Sequence, residues 1–217
     1  MYNPRIFRRD EPKRLQTIID DLGFGLLVVS VDGDPEIAHL PFVLDRGQGP
    51  LGTLISHVAR PAEIWRYADG RPVTVVFQGP HAYVSASHYE EPSEQVPTIN
   101  YVAVHARGRA VAVNGADTLV GVQKLAAHFE RHEAKQWSTD LLSNALRQEL
   151  LTGIVGIEIR IEHLEGKVKV SQNRAPEDRA RVRRALVERG EPNDLAIVRF
   201  MDEESDRRPP TALRLVE

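Results

Sequence analysis

Cysteine is absent from the 217 residues, which excludes disulfides, thiolate nucleophiles and sulfur-ligated metal. No apolar run approaches the roughly 20 residues of a membrane-spanning helix. The start, Met1-Tyr2-Asn3-Pro4-Arg5, carries no apolar secretion core. Together these absences predict a cytoplasmic protein. A basic surplus is also missing, since the formal net charge is -3. The one basic stripe, Arg179-Ala180-Arg181-Val182-Arg183-Arg184, is flanked by Glu177, Asp178, Glu188 and Glu191 and reads as a solvated helix face, which argues against direct DNA binding. There is no glycine-rich phosphate loop, no Gly-x-Ser-x-Gly elbow and no spacing that marks a hydrolase triad. His128 and His132 stand at helical i, i+4 spacing, but the residues between them are Phe129-Glu130-Arg131, which is not the zinc-protease order. We therefore expect no metal site.

The 41% hydrophobic and 27% charged residues are those of a globular chain of a length one domain can reach. We expect one domain over residues 1–204 and a loosely held tail over 205–217. Asp10 is read as the N-cap of a helix that Gly23 ends. A hairpin follows, with Asp32-Gly33-Asp34-Pro35 as its turn and Pro41 marking an edge or kink in the return strand. Strands are expected over 51–58, 73–78, 82–87 and 100–113, the last bent at Gly108, with Gly79-Pro80 as a corner between the second and third. Helices are expected over 116–133, with a buried stripe of Leu119, Val122, Leu125, Ala126 and Phe129, and from a Ser138 cap to Leu150. A strand from Ile154 to Ser171 and helices over 175–189 and 194–203 complete the chain. Several strands, then helices, then more strand is not the alternation of a parallel sheet. The pattern predicts a mainly β, α+β fold: an antiparallel barrel-like core with flanking helices.

Three places could carry chemistry. His57-Val58-Ala59-Arg60 ends an apolar strand, and the Arg60 guanidinium could hold a phosphate, although a surface Arg beside a core-edge His is the commoner meaning of this motif taken alone. Tyr83 and Ser85 share a strand face, with Gln78-Gly79 before them and Asn100-Tyr101 after. Lys169 and Ser171 share another, and Gln172-Asn173-Arg174 follows where the strand stops; amides there could read the edge of a heteroaromatic ring. His39, in the kinked strand, could face a ligand or fill a structural place.

Met1-Tyr2-Asn3-Pro4 with Phe7, Ala38-His39-Leu40-Pro41, His57-Val58-Ala59-Arg60, Phe77 to Ser85, Val96 to Tyr101, Val104-His105 and Leu164 to Arg174 together resemble the PaiB family, FMN-binding negative transcriptional regulators. The resemblance runs in order to about Arg184, with Ile99 where many members have Trp. It implies an FMN-binding split antiparallel β-barrel, similar to pyridoxamine-phosphate oxidases and flavin reductases, that forms a homodimer with FMN at the subunit interface. On that footing Arg60 and Ser85 are phosphate candidates. Lys169, Gln172, Asn173 and Arg174 are candidates for the ring edge or the phosphate, and His39, His57, Tyr83 and Tyr101 line the cavity. No helix-turn-helix offers a recognition helix, so any regulation is expected to be indirect. The alternative is a flavin-dependent oxidoreductase acting on a small molecule, with His39, His57 or His105 as proton donor. A barrel that holds haem through a His, or that has lost its cofactor, is a further alternative.

Overall fold

Gly79-Pro80 does not turn the chain. In the computed structural model, which describes residues 1–206, a single strand runs from Pro72 to Val84. Gly79 is there for close approach: a Cβ on it would meet Val102 Cβ and the Val102 carbonyl at 3.1 Å. A glycine inside a strand marks such a contact as readily as it marks a turn.

The elements in chain order are β1 (Arg8–Arg9), α1 (Pro12–Leu22), β2 (Phe24–Val31), β3 (Asp34–Pro41), β4 (Val43–Asp45), β5 (Thr53–Ala59), α2 (Ile64–Ala68), β6 (Pro72–Val84), β7 (Thr98–Val113), α3 (Ala116–Glu130), α4 (Asn144–Thr152), β8 (Ile154–Lys169), α5 (Pro176–Arg189) and α6 (Pro192–Asp206). The strands follow the order β3-β2-β6-β7-β8-β5-β4, with β1 paired to β8. Every pairing with a resolved register is antiparallel. The expected antiparallel sheet with flanking helices is therefore present. Among the described residues no helix is long and apolar enough to cross a membrane.

The described residues divide into two compact units. The first holds Met1–Arg9, Gly79–Ala103 and the residues from Gly166 on; the second holds Asp10–Gln78 and Val104–Glu165. In the second unit, Asp32 (φ 53°) and Gly33 (φ 99°) make a two-residue turn between β2 and β3, tighter than the four-residue turn expected. Pro41 ends β3, an edge strand, where a missing N–H costs no ladder bond. Leu27, Val29, Leu54, Val75, Val104, Ile157 and Ile159 are buried, and Phe42 meets Phe77 edge-on at 5.6 Å. Gly108 lies within β7, where a Cβ would fall 2.0 Å from the Arg160 carbonyl oxygen of β8.

Several helix boundaries differ from expectation. Glu11, not Asp10, is the N-cap of α1, with Pro12 opening the helix and Gly23 (φ 59°) closing it. Ser138 caps only a 3-10 turn (Thr139–Leu141), and Ser143 caps α4 by accepting from the Leu146 N–H at 3.3 Å. The buried face of α3 is Thr118, Gly121 and Leu125, and Gly121 sets the helix against Ile55. Phe129, expected inside, is 45% exposed. α3 stops at Glu130, so His132 falls outside it and the helical i, i+4 histidine pair does not form.

In the first unit Val84, Val102, Val168, Val170, Val182, Leu186 and Ile197 are buried. Ser205 and Asp206, expected in the tail, belong to α6; the rest of that tail lies outside the described residues.

Candidate functional site

Thr98 begins β7 and Lys169 ends β8, and the lysine ammonium donates to the threonine hydroxyl. Burial first, then the nearby cations of Lys167 and Arg174, push Lys169 below the ordinary lysine range. The charges that act on this ammonium are thus of its own sign. Arg174 donates from Nη1 to Gln95 Oε1 at 2.6 Å, and its guanidinium lies 4.8 Å from the centre of the Tyr89 ring. The Tyr89 hydroxyl is buried without a hydrogen-bond partner among the described residues. Tyr101, half-buried on β7, places its ring 5.2 Å from the Lys167 ammonium. Lys169 and Arg174, with hydroxyl and amide groups beside them, are donors of the kind that an anion takes, and Lys167 adds a third positive charge nearby.

The strand end is fixed by buried polar bonds. Ser171 adopts φ 63°, a left-handed conformation uncommon for serine, and exchanges hydrogen bonds with the Asn100 amide at 2.9 and 3.2 Å. Gln172, 1% exposed, accepts from the Val170 N–H at 2.7 Å and donates to the Val168 carbonyl at 2.5 Å. Its amide therefore holds the backbone around Ser171 and does not present a ring-reading edge. Asn173 is exposed.

The remaining sequence candidates sit as follows. Tyr83, 49% exposed, lies near the end of β6, and its carbonyl accepts from Arg189 at 3.1 Å. Ser85 caps a 3-10 turn (Ala86–His88), accepting from the Ser87 N–H at 3.2 Å and sharing a 2.9 Å bond with the Ser87 hydroxyl. The first unit thus contains Tyr83, Ser85, Tyr101, Lys169, Gln172, Asn173 and Arg174.

His39, His57 and Arg60 belong to the second unit. His39 is exposed and stacks on Phe24 with centroids 6.4 Å apart. His57, on β5 opposite Gly156, has a buried Nδ1 without a hydrogen-bond partner among the described residues, and burial pushes its pKa below the ordinary imidazole range. Arg60 donates from Nε to the Thr152 carbonyl at 2.6 Å and from Nη2 to the Ile154 carbonyl at 2.7 Å and to Asn114 Oδ1 at 3.2 Å. These bonds tie the end of α4 to the start of β8.

Sequence reasoning passed over Lys167, Thr98, Gln95 and Tyr89. A lysine two residues before Lys169 on the same strand, close to Gly166, was a signal for the first. The others depend on contacts across about seventy residues or more, which no local pattern reports.

A family model described as "Putative FMN-binding domain" matches residues 1–163. The chain belongs to this FMN-binding family. It is also 31% identical over 204 residues to protease synthase and sporulation protein PAI 2 of Bacillus subtilis, covering 94% of this chain and 97% of that protein. This places it in the PaiB family that the sequence motifs resembled. An uncharacterized Aspergillus fumigatus protein is 26% identical over 244 residues, covering 89% of this chain and 94% of its own length. Among solved structures, the FAD and heme binding protein of Mycobacterium smegmatis aligns with TM-score 0.58 at 16% identity, covering 80% of this chain and 78% of that one. The flavocytochrome Anf3 of Azotobacter vinelandii aligns with TM-score 0.53 at 14% identity, covering 80% and 75%. At such identities the likeness is one of fold: the split-barrel arrangement of an antiparallel sheet with flanking helices.

Proposed function

We propose that this PaiB-family member holds FMN by its phosphate at Lys169, Arg174 and Thr98, works as a homodimer and regulates indirectly. The observation that carries the reading is the environment of Lys169, an ammonium acted on by two further cations. A phosphate dianion would offset the like charge of such a set. Lys169 and Arg174 would take phosphate oxygens, with the Thr98 hydroxyl as an additional donor. Tyr101 offers a ring surface beside them, and the Asn100–Ser171 pair keeps the strand end in its left-handed bend. FMN, when bound, supplies electron-transfer chemistry that no side chain here provides.

Two observations support the rest of the reading. Three of the four arginines of the α5 stripe are engaged by partners in their own unit: Arg181 with Glu90 at 3.0 Å, Arg183 with Asp202 at 2.7 and 2.9 Å, and Arg179 with Ser205 at 2.8 Å. A stripe occupied in this way is poorly disposed to collect DNA phosphates. Leu141, Leu146 and Leu150 are 68%, 43% and 53% exposed, apolar surface that a second copy would cover.

Titration of the purified protein with FMN, followed by quenching of flavin fluorescence, tests the cofactor assignment. Saturable binding supports it, and no binding up to millimolar FMN refutes it. Light scattering tests the dimer. Bleaching of the bound flavin by NADH or NADPH would replace the regulatory reading with the oxidoreductase one.

A further inference from the structure

Lys167 is a buried cation that no carboxylate among the described residues pairs with. The residue is 7% exposed, and its ammonium donates to the Tyr2 carbonyl at 3.0 Å. Its other close neighbours are ring faces: Tyr101 at 5.2 Å, Tyr2 at 5.6 Å and Phe7 at 6.0 Å from centroid to nitrogen. A buried ammonium ordinarily has a counter-charge or loses its proton. A carbonyl and three aromatic quadrupoles do something different. They accommodate positive charge without cancelling it.

The segment that supplies two of these rings is firmly attached. Asn3 Nδ2 donates to the Gly166 carbonyl at 2.9 Å, the Phe7 carbonyl accepts from the Val168 N–H at 2.9 Å, and Arg8 sits opposite Lys167 in the β1–β8 register. Arg9 then pairs with Glu204 of α6, both side chains largely buried. Three successive attachments to β8 and one to α6 hold residues 3–9 in place. What they secure is the box around Lys167, two residues before Lys169.

Resting on the FMN assignment, we propose that Lys167 is a positioning residue for the anion site: the N-terminal segment surrounds its ammonium with a carbonyl and ring faces and brings no carboxylate to it, so that its field reinforces Lys169 and Arg174 on a phosphate-bearing ligand. Lys167 does not touch the ligand in this proposal. Its effect is electrostatic, and it depends on the ligand's charge.

That dependence gives the test. FMN and riboflavin differ by the phosphate, so the ratio of their affinities reports the field at the anion site, whereas a general loss of structure weakens both. Wild type, Lys167→Met and Lys167→Arg are titrated with each flavin by fluorescence quenching. A full charge removed from a partly screened site predicts that Lys167→Met loses about ten-fold in FMN affinity with riboflavin affinity unchanged, and that Lys167→Arg retains most of the ratio. Lys167→Gln, which keeps a donor for the Tyr2 carbonyl, replaces the apolar variant if that does not fold. Equal losses for both flavins, or an unchanged FMN affinity, overturn the proposal while leaving the cofactor assignment standing. Failure of the wild type to prefer FMN over riboflavin overturns the assignment itself, and the proposal with it.

Discussion

Thr98 and Lys169 stand at opposite ends of their strands' sequence ranges, the first residue of β7 and the last of β8, and are joined by a hydrogen bond from ammonium to hydroxyl. Strand ends are where a sheet stops consuming its own polar groups, and this pair marks the point at which the chain turns from holding itself together to offering donors outward.

Replacing Lys169 with alanine removes a charge-assisted donor. Such bonds contribute about 1.5–3 kcal/mol, so FMN affinity is expected to fall roughly ten- to a hundred-fold. Thr98→Val should have a smaller effect, since a hydroxyl is lost and the cation remains. Fluorescence titration of both variants gives the order. An affinity for FMN unchanged in Lys169→Ala would take the phosphate away from this strand end.

FMN binding should weaken at alkaline pH. Lys169 is pushed below its ordinary 10.5 in the free protein, by burial and by its cationic neighbours. The folded state therefore releases this proton at a lower pH than the unfolded chain. The cost of keeping the charge is present at neutral pH and is relieved as pH rises through the folded value towards 10.5. A bound phosphate reverses the balance by favouring the ammonium, so binding takes up a proton in that window. Calorimetry in two buffers of different ionisation enthalpy measures the uptake, and Lys169→Met should abolish it.

The sequence made the sheet legible because its long strands alternate cleanly: Val102, Val104 and Ala106 are buried and Tyr101, Ala103 and His105 are not, as period two requires. Lys169 and Arg174 stood out in the sequence as candidates because cations at a strand end have few structural duties. The structural duty of Gln172 was not legible, for the opposite reason. Ser171 takes a left-handed turn, and the backbone it strands at Val168 and Val170 needs a partner, which the neighbouring amide supplies from inside. Gly79-Pro80 has the composition of a turn, and only the nearness of Val102 explains why it is strand. Lys167 looks like any strand lysine until the rings of Tyr2, Phe7 and Tyr101 arrive from distant parts of the chain.

Gly108 is expected to tolerate no side chain. Its Cβ would lie 2.0 Å from a backbone oxygen of Arg160, which cannot move without parting β7 from β8. Gly79 faces a milder contact of 3.1 Å with Val102. Gly108→Ala should therefore cost more than the ~1–3 kcal/mol typical of overpacking, and Gly79→Ala should fall within that range. Thermal melts of the two variants test the order; equal melting temperatures would contradict it.

Arg60 was expected to grip phosphate, and its guanidinium joins the Thr152 and Ile154 carbonyls and the Asn114 side chain. Arg60→Ala leaves those acceptors without their donor and should lower stability by about 1–3 kcal/mol. If the structural tie is its main duty, urea unfolding will show that loss while FMN affinity changes less than in Lys169→Ala. The reverse pattern would return Arg60 to the phosphate.

His57 should make the protein sensitive to acid. Burial holds its folded pKa below the ordinary 6.5, and its Nδ1 is sealed away without a partner among the described residues. A lowered histidine pKa means that the unfolded chain takes up the proton first. Stability is then full above the unfolded value and is lost as pH falls from there towards the folded one. His88, His105 and His128 are also lowered, with burial as the leading cause in each, so the wild type sums several such slopes. The contribution of His57 is isolated by comparing urea midpoints of the wild type and His57→Gln at about pH 7.5 and about pH 5.5, on either side of the imidazole range. The variant should lose less stability between the two. An identical loss would mean that the imidazole is protonated within the fold at no cost, and that its buried nitrogen has found a partner in solution.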